Sequence, residues 1–438
     1  MSPHGKLHCE NGPYEPLMDR QHDLRRKRHN AILTVWMTIL LAGLAILNHI
    51  LSRGSNSTTG QLTTIESQVD AVLSASPLID SHNDFAIWIR AFYHNHIYAP
   101  NFTSPPLYGQ VDFPRLKEGR LSAQFWSVYV ECPKSTNSST TNTTLFADES
   151  VYHQVIHDTL QQVDLIRRLA AARPDVLDLV SSSAQVWEGF RSGKGRVSSF
   201  LSLEGLHQIG NSASVLRVYH ALGVRAAGLT HTCHNLYADS SEAVGAPAGG
   251  LSEAGRRIVA EMNRIGIMVD LSHASADAAR LALEASKAPV IFSHSAASGV
   301  CNHPRNVPDD VLRRLQSNGG VVMVSFYPEH VRCGDPSEAE MDDVVRNVMY
   351  IGEMIGYRHV GIGSDFDGMQ KGPKGLEDVS RYPALVAELL RRGVGRAELE
   401  GVVGANVLRV LGEVESVAED LQRQGAEVLE DDVKDMFA

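Results

Sequence analysis

Between residues 78 and 365 one pattern recurs eight times: a short apolar run rich in β-branched residues, set apart from the next by a longer segment. The strand candidates are Leu78–Asp84, Ser122–Val130, Val197–Gly205, Arg225–His231, Ile267–His273, Val290–His294, Gly320–Phe326 and His359–Asp365. Between or after them, Tyr152–Ala171, Ser252–Ile265, Asp342–Ile355 and Pro383–Arg392 carry apolar residues at helical spacing. Strands joined by helical crossovers pair in parallel, because a parallel return needs a connection of a dozen residues or more. Eight such units predict an α/β chain folded as a (β/α)8 TIM barrel, with a doubly wound open sheet as the competing architecture.

The polar residues discriminate between the two. His82 and Asp84, Glu204, His231, His273, His294 and Asp365 each end a predicted strand, on six different strands. A closed parallel barrel opens all strand C-termini onto one face, so these groups converge there, whereas an open sheet scatters several of them. At 43% hydrophobic, 438 residues are enough for a large core, and a net charge of −11 argues against a nucleic-acid partner, whose phosphates call for an excess of Lys and Arg.

The N-terminus differs from the rest. Residues 1–30 carry six Lys/Arg against four acids, and the cluster Arg25-Arg26-Lys27-Arg28 leads into a chargeless stretch, Ala31 to Leu51. At ~1.5 Å per residue this stretch is about long enough for a ~30 Å hydrocarbon core. It is expected to be an uncleaved transmembrane signal anchor, with residues 1–30 a cytosolic tail and everything after it lumenal or extracellular, as in a single-pass type II membrane protein. Residues 52–70 then form a stalk, 71–420 the barrel and 421–438 an acidic tail. Sequons at Asn56, Asn101, Asn137 and Asn142 all follow the anchor and are expected to carry glycans. Cys9 falls on the cytosolic side, leaving Cys132, Cys233, Cys301 and Cys333 as an even set that three connectivities can pair.

Residues two apart on a strand point the same way, so His82 and Asp84 are expected to share an ion. With Glu204, His273 and His294 they make three His and two carboxylates, a donor set that suits two adjacent Zn²⁺ ions bridged by one carboxylate. Such a pair holds a bridging hydroxide near neutral pH and polarises a carbonyl, which is the apparatus of amide hydrolysis.

These motifs closely resemble the membrane (renal) dipeptidase family, zinc peptidases of the amidohydrolase class. The likeness runs from about Pro77 to Leu411, through Ile79-Asp80-Ser81-His82-Asn83-Asp84, Gln124-Phe125-Trp126-Ser127-Val128-Tyr129, Ser202-Leu203-Glu204-Gly205 and Leu229-Thr230-His231-Thr232-Cys233. It continues through Asp270-Leu271-Ser272-His273, Phe292-Ser293-His294-Ser295, Arg305-Asn306-Val307-Pro308-Asp309 and Gly361-Ile362-Gly363-Ser364-Asp365-Phe366-Asp367-Gly368. The resemblance implies two zinc ions per subunit, one held by His82, Asp84 and Glu204, the other by Glu204, His273 and His294. It implies that His231 steadies the oxyanion, that Arg305 grips the substrate's terminal carboxylate and that Asp365 shuttles the proton, with Asp367 as the alternative. It also selects the disulfides Cys132–Cys233 and Cys301–Cys333, and suggests a homodimer. The chain departs from the family pattern in a Ser/Thr/Asn-rich insert around Thr136–Thr144, in His234, and in an acidic C-terminus where mammalian relatives carry a lipid-anchor signal; the N-terminal anchor is expected to replace it.

The resulting expectation is a zinc-dependent membrane dipeptidase acting on dipeptide substrates. Its rivals are a related binuclear amidohydrolase acting on a lactam, an N-acyl amino acid or a Cys-Gly conjugate, and a catalytically silent binding protein.

Overall fold

The computed structural model describes residues 64–133 and 149–433, plus the isolated positions Arg28, Trp36, Met37 and Leu40. Among the described residues no helix is long and apolar enough to cross a membrane. The expected anchor, residues 31–51, lies almost wholly outside them, as do the sequons at Asn56, Asn137 and Asn142. Asn101 and Thr103 of the remaining sequon are exposed.

Among the described residues nine strands form one parallel sheet: β1 Ile79–Asn83, β2 Ala123–Val128, β3 Leu177–Leu179, β4 Val197–Leu203, β5 Val224–Gly228, β6 Met268–Asp270, β7 Ile291–Ser295, β8 Val321–Val324 and β9 Val360–Ile362. Eight of them run in the order β1-β2-β4-β5-β6-β7-β8-β9, and β3 pairs β4 from outside that path. Between the ends of the path the chain nearly closes on itself. Asp365 N–H donates to His82 O at 3.1 Å, Asp84 N–H donates to Phe366 O at 2.8 Å, and Asn83 bridges Phe366 in parallel. This is a nearly closed (β/α)8 barrel rather than an open sheet.

Two apolar layers hold it. Ile79, Phe125, Phe200, Met268, Ile291 and Met323 belong to the smaller cluster, and Phe125 and Phe200 stack with ring centroids 4.7 Å apart. Their sequence neighbours on the same strands, such as Trp126, Leu201, Val269, Phe292 and Val322, join the larger cluster with the helices. Alternation with period two therefore buries both faces of the strands on the barrel path, which is why those strands read as continuous apolar runs. The helices begin where the sequence supplies caps: Ser182, Ser212, Ser252 and Ser275 each accept a hydrogen bond from a backbone N–H three residues on.

The structure corrects the expected boundaries at both ends of the barrel. Helix Ile65–Ala75, capped by Thr64, crosses the expected stalk boundary at residue 70 and packs on helices Tyr382–Arg391 and Arg396–Glu400 through Val69, Val72 and Leu73. The last helix, Asn406–Arg423, overruns residue 420. Beyond it Asp431 caps helix Ala213–Ala221, accepting from Ser212 Oγ and Ala213 N at 2.7 Å, because a carboxylate satisfies the free N–H groups of a helix start.

The disulfides are Cys132–Cys233 and Cys301–Cys333, with Cα atoms 6.1 and 5.2 Å apart. They join loops beyond the C-terminal ends of the strands and close segments of 101 and 32 residues. The chain-entropy relation gives about 4.7 and 3.7 kcal/mol for such closures. Replacing either pair by serines is expected to cost about 2–5 kcal/mol in denaturant unfolding. A cost below about 1 kcal/mol would mean that packing alone holds these loops.

Candidate active site and metal centre

Irregular strand ends place the polar side chains. The β1–β2 register slips between Asp80 and Asn83, and the β7–β8 register slips between Phe292 and Ser295. Such slips re-aim side chains, and here the His82 and His294 rings stack with centroids 3.7 Å apart. His82 and Asp84 do come together, though not by alternation along one strand. β1 ends at Asn83 and Asp84 opens helix Phe85–Tyr93, yet Asp84 Oδ2 lies 3.6 Å from His82 Nε2. His273 and Asp365 hold φ of +65° and +67°, a left-handed conformation whose strain is characteristic of functional sites. Gly368 is required nearby: a Cβ there would fall 2.3 Å from Asp365 Oδ1 and 2.5 Å from Asp84 Oδ2.

Glu204 is the hub. Its Oε1 lies 3.2 Å from His273 Nε2, 3.5 Å from both His82 Nε2 and His294 Nε2, and 3.6 Å from His231 Nε2. Its Oε2 accepts from Ser127 Oγ at 3.2 Å. Two overlapping triads result, His82–Asp84–Glu204 and Glu204–His273–His294, all five residues buried; His82, His294 and Asp365 form a third cluster that shares members with them.

The donor chemistry fits metal ions. His273 Nδ1 sits 2.7 Å from Glu242 Oε2. His294 Nδ1 sits 2.8 Å from Ser293 Oγ, whose hydroxyl donates to Asp270 Oδ2 at 2.5 Å. Partners of this kind take the Nδ1 protons and leave lone pairs on both Nε2 atoms. Those two acceptors face each other at 3.0 Å, with Glu204 Oε1 completing the triangle. Three acceptors so close repel one another unless a cation lies among them. Tetrahedral Zn²⁺ with ~2.0–2.1 Å bonds spaces its ligands by roughly 3.3 Å, which matches this triangle.

The electrostatics agree. Burial, reinforced by Asp84, raises the Glu204 carboxyl well above its usual range. Burial lowers the His231, His273 and His294 imidazoles, with Arg305 adding to the effect. Burial also acts to lower His82, but Glu204, Asp84 and Asp365 outweigh it and lift His82 to about 10. Asp365 is pushed up to about 7, chiefly by burial and by Asp84 against the pull of His82. Three neutral imidazoles and a His82 held protonated are thus packed against crowded carboxylates, an arrangement that bound cations relieve.

The residues carried over for substrate contact meet in the same cavity of about 440 Å³, lined among others by Asp84, His231, Glu242, Arg305 and Asp365. Arg305 is 4% exposed; Nη2 donates to His294 O at 3.4 Å, while Nε and Nη1 have no hydrogen-bond partner. Asp365 Oδ1 is 4.0 Å from His82 Nε2, whereas Asp367 accepts from Gln110 N–H through Oδ1 and donates its own N–H to Gln110 Oε1 at 2.6 Å. Trp88 and Phe92 wall one side of the mouth, their ring centroids 4.8 Å apart. A larger cavity of about 910 Å³, lined by Phe102, Leu116 and Leu169, brings together none of these groups.

Sequence reading missed the supports. Glu242, Ser293, Asp270 and Ser127 orient the histidines and Glu204, and Asp80 underpins His82 by accepting from its N–H at 3.2 Å and from Tyr382 OH at 2.7 Å. The pair Ser293-His294 was a visible signal, since a serine beside a strand-end histidine can fix its ring. Glu242 offered none, lying in a polar loop far along the chain from its partners.

The sequence pattern of the membrane dipeptidases, peptidase family M19, matches residues 66–425. Dipeptidase aclJ of Aspergillus oryzae is 56% identical over 373 residues, 85% of this chain and 86% of that protein. Dipeptidase tcpJ of Claviceps purpurea is 47% identical, covering 82% of this chain and 81% of that one. Among solved structures, a metallopeptidase from Rhodobacter sphaeroides bound to a phosphinate mimic of the dipeptide L-Ala-D-Ala superposes with a TM-score of 0.67 at 27% identity, covering 77% of this chain and 99% of that chain. With a family match over most of its length and relatives this similar, the chain belongs to the membrane dipeptidase family.

Proposed function

We propose that this chain is a dipeptidase whose two triads each hold a zinc ion, with Glu204 shared between them. The observation that carries the reading is the ring of four imidazole Nε2 atoms around Glu204 Oε1, in one cavity with an arginine whose Nε and Nη1 have no hydrogen-bond partner. When bound, the ions supply Lewis acidity toward the scissile carbonyl and acidify the attacking water.

The chain's own residues do the rest. Arg305 offers Nε and Nη1 to the substrate's terminal carboxylate, fixing the distance from that end to the scissile bond. A pocket that fastens both ends of its substrate favours dipeptides over longer peptides. His231, kept neutral by burial, donates to the oxygen on which negative charge develops. Asp365, raised into the neutral range, takes a proton from water and delivers it to the leaving amine. The L-Ala-D-Ala mimic in the Rhodobacter relative supports tolerance of a D-residue at the C-terminal position here.

The type II orientation belongs to the same proposal. It rests on the basic cluster before residues 31–51 and on the sequons after them, and two disulfides suit an oxidising compartment.

The test is hydrolysis of a dipeptide and tripeptide panel by the purified full chain, with and without chelator. Chelator-sensitive cleavage of dipeptides alone is expected, and Arg305→Ala should lower kcat/KM by about 30- to 1,000-fold, the ~2–4 kcal/mol of a lost charge-assisted contact. No cleavage by folded, zinc-loaded protein would overturn the dipeptidase reading.

A further inference from the structure

Glu242 is the acid that joins the metal side of the cavity to its substrate side. One oxygen, Oε2, lies 2.7 Å from His273 Nδ1 and 3.4 Å from Arg305 Nε. Its loop is pinned at the two residues before it. Ser241 N–H donates to His273 O at 2.8 Å, Ser240 Oγ donates to His231 O at 2.5 Å, and Glu242 N–H donates back to Ser240 Oγ at 3.2 Å. The loop therefore keeps register with both histidines, and the carboxylate stands in the cavity with its side chain 31% exposed.

The two contacts differ in kind. The His273 contact is a short hydrogen bond that fixes the imidazole with its proton on Nδ1 and its lone pair on Nε2. The Arg305 contact is charge beside charge, since the guanidinium Nε makes no hydrogen bond. A substrate carboxylate that settles on Nε and Nη1 thus meets a fixed negative charge at close range. A second carboxylate on the C-terminal residue meets it again, because its side chain starts one carbon from the gripped group.

We propose that Glu242 is a positioning and specificity-determining residue: it holds His273 in the ligating tautomer, and it stands as a fixed counter-charge at Arg305 that disfavours dipeptides with an acidic C-terminal residue. The first half concerns the chain's metal affinity, and the second rests on the dipeptidase reading. Discrimination by a like charge is a common device for selecting among related substrates.

Glu242→Gln and Glu242→Ala separate the halves. An amide oxygen still accepts from Nδ1–H, so Glu242→Gln is expected to keep zinc affinity within about threefold, while Glu242→Ala loses about 10- to 100-fold, read by competition with a chromophoric chelator. With Glu242→Gln the ratio of kcat/KM for Ala-Asp to that for Ala-Ala should rise about 5- to 10-fold, mostly through KM for Ala-Asp. Unchanged zinc affinity in Glu242→Ala overturns the first half. An unchanged Ala-Asp to Ala-Ala ratio in Glu242→Gln overturns the second. Should the parent protein cleave neither dipeptide, the dipeptidase reading falls and takes the second half with it, while zinc competition still decides the first.

Discussion

Glu204→Gln is expected to strip the metal from the protein, lower kcat/KM by at least about 1,000-fold and leave the metal-free fold more heat-stable than its parent. The three effects share one cause. Glu204 is 5% exposed and its Oε1 faces four imidazoles, while Asp84 and Asp365 stand close enough to raise its pKa. In metal-free protein that carboxylate is a buried, crowded acid, and removing it relieves repulsion. With cations present the same charge becomes half of the formal negative charge that the two triads contribute, because the histidines bind as neutral ligands. An amide of the same shape keeps the packing and loses that charge. In chelator, the melting temperature of Glu204→Gln should match or exceed the parent's by about 1–3 °C, and elemental analysis after gel filtration should find little zinc. Full metal content in the variant would show that Glu204 does not join the two triads.

The barrel was legible because its code is local and repeated. Each of the eight strand candidates overlaps an observed strand, since a β-branched apolar run bounded by turn residues has one stable use when both faces are buried. Ser252, read as the start of a helical stretch, is the residue that caps helix Glu253–Ile265. β3 was missed because Leu177–Leu179 is three residues long, with Asp178 between two leucines, and pairs only from outside the barrel path. The stalk reading of residues 52–70 takes in the first half of helix Ile65–Ala75, because nothing nearby in sequence shows the partners at 382–400 that bury its apolar stripe.

The site followed a different logic. Strand-end His and acidic residues are readable because barrel topology sends every strand end to one face, and His82, Glu204, His231, His273, His294 and Asp365 do meet there. What sequence did not carry was the angle at which each arrives. Register slips aim His82 and His294, and left-handed backbone aims His273 and Asp365. The supports were hidden for the same reason. Glu242 lies 31 residues from His273 and is brought to it by a loop whose course only the folded chain defines.

Asp365→Asn is the variant expected to separate chemistry from binding. Its carboxylate lies 4.0 Å from His82 Nε2, takes part in neither of the two triads built on Glu204, and is raised to about 7 by burial and by Asp84. A group that titrates near neutral pH in that place is suited to accept a proton and release it, and an amide does neither. The loss should therefore fall on kcat, by about 100- to 10,000-fold, with KM and zinc content close to the parent's. Asparagine is also the replacement that the backbone tolerates, since φ is +67° and Asn adopts the left-handed region more readily than most residues. Asp367→Asn is the control. That side chain accepts from Gln110 N–H instead of facing His82, so its loss of kcat should stay under about tenfold. If Asp367→Asn loses the greater part of kcat while Asp365→Asn retains it, the proton passes through the Gln110 side of the cavity and the two aspartates exchange roles. If both retain kcat, neither carries the proton, and the leaving amine draws it from water held elsewhere in the cavity.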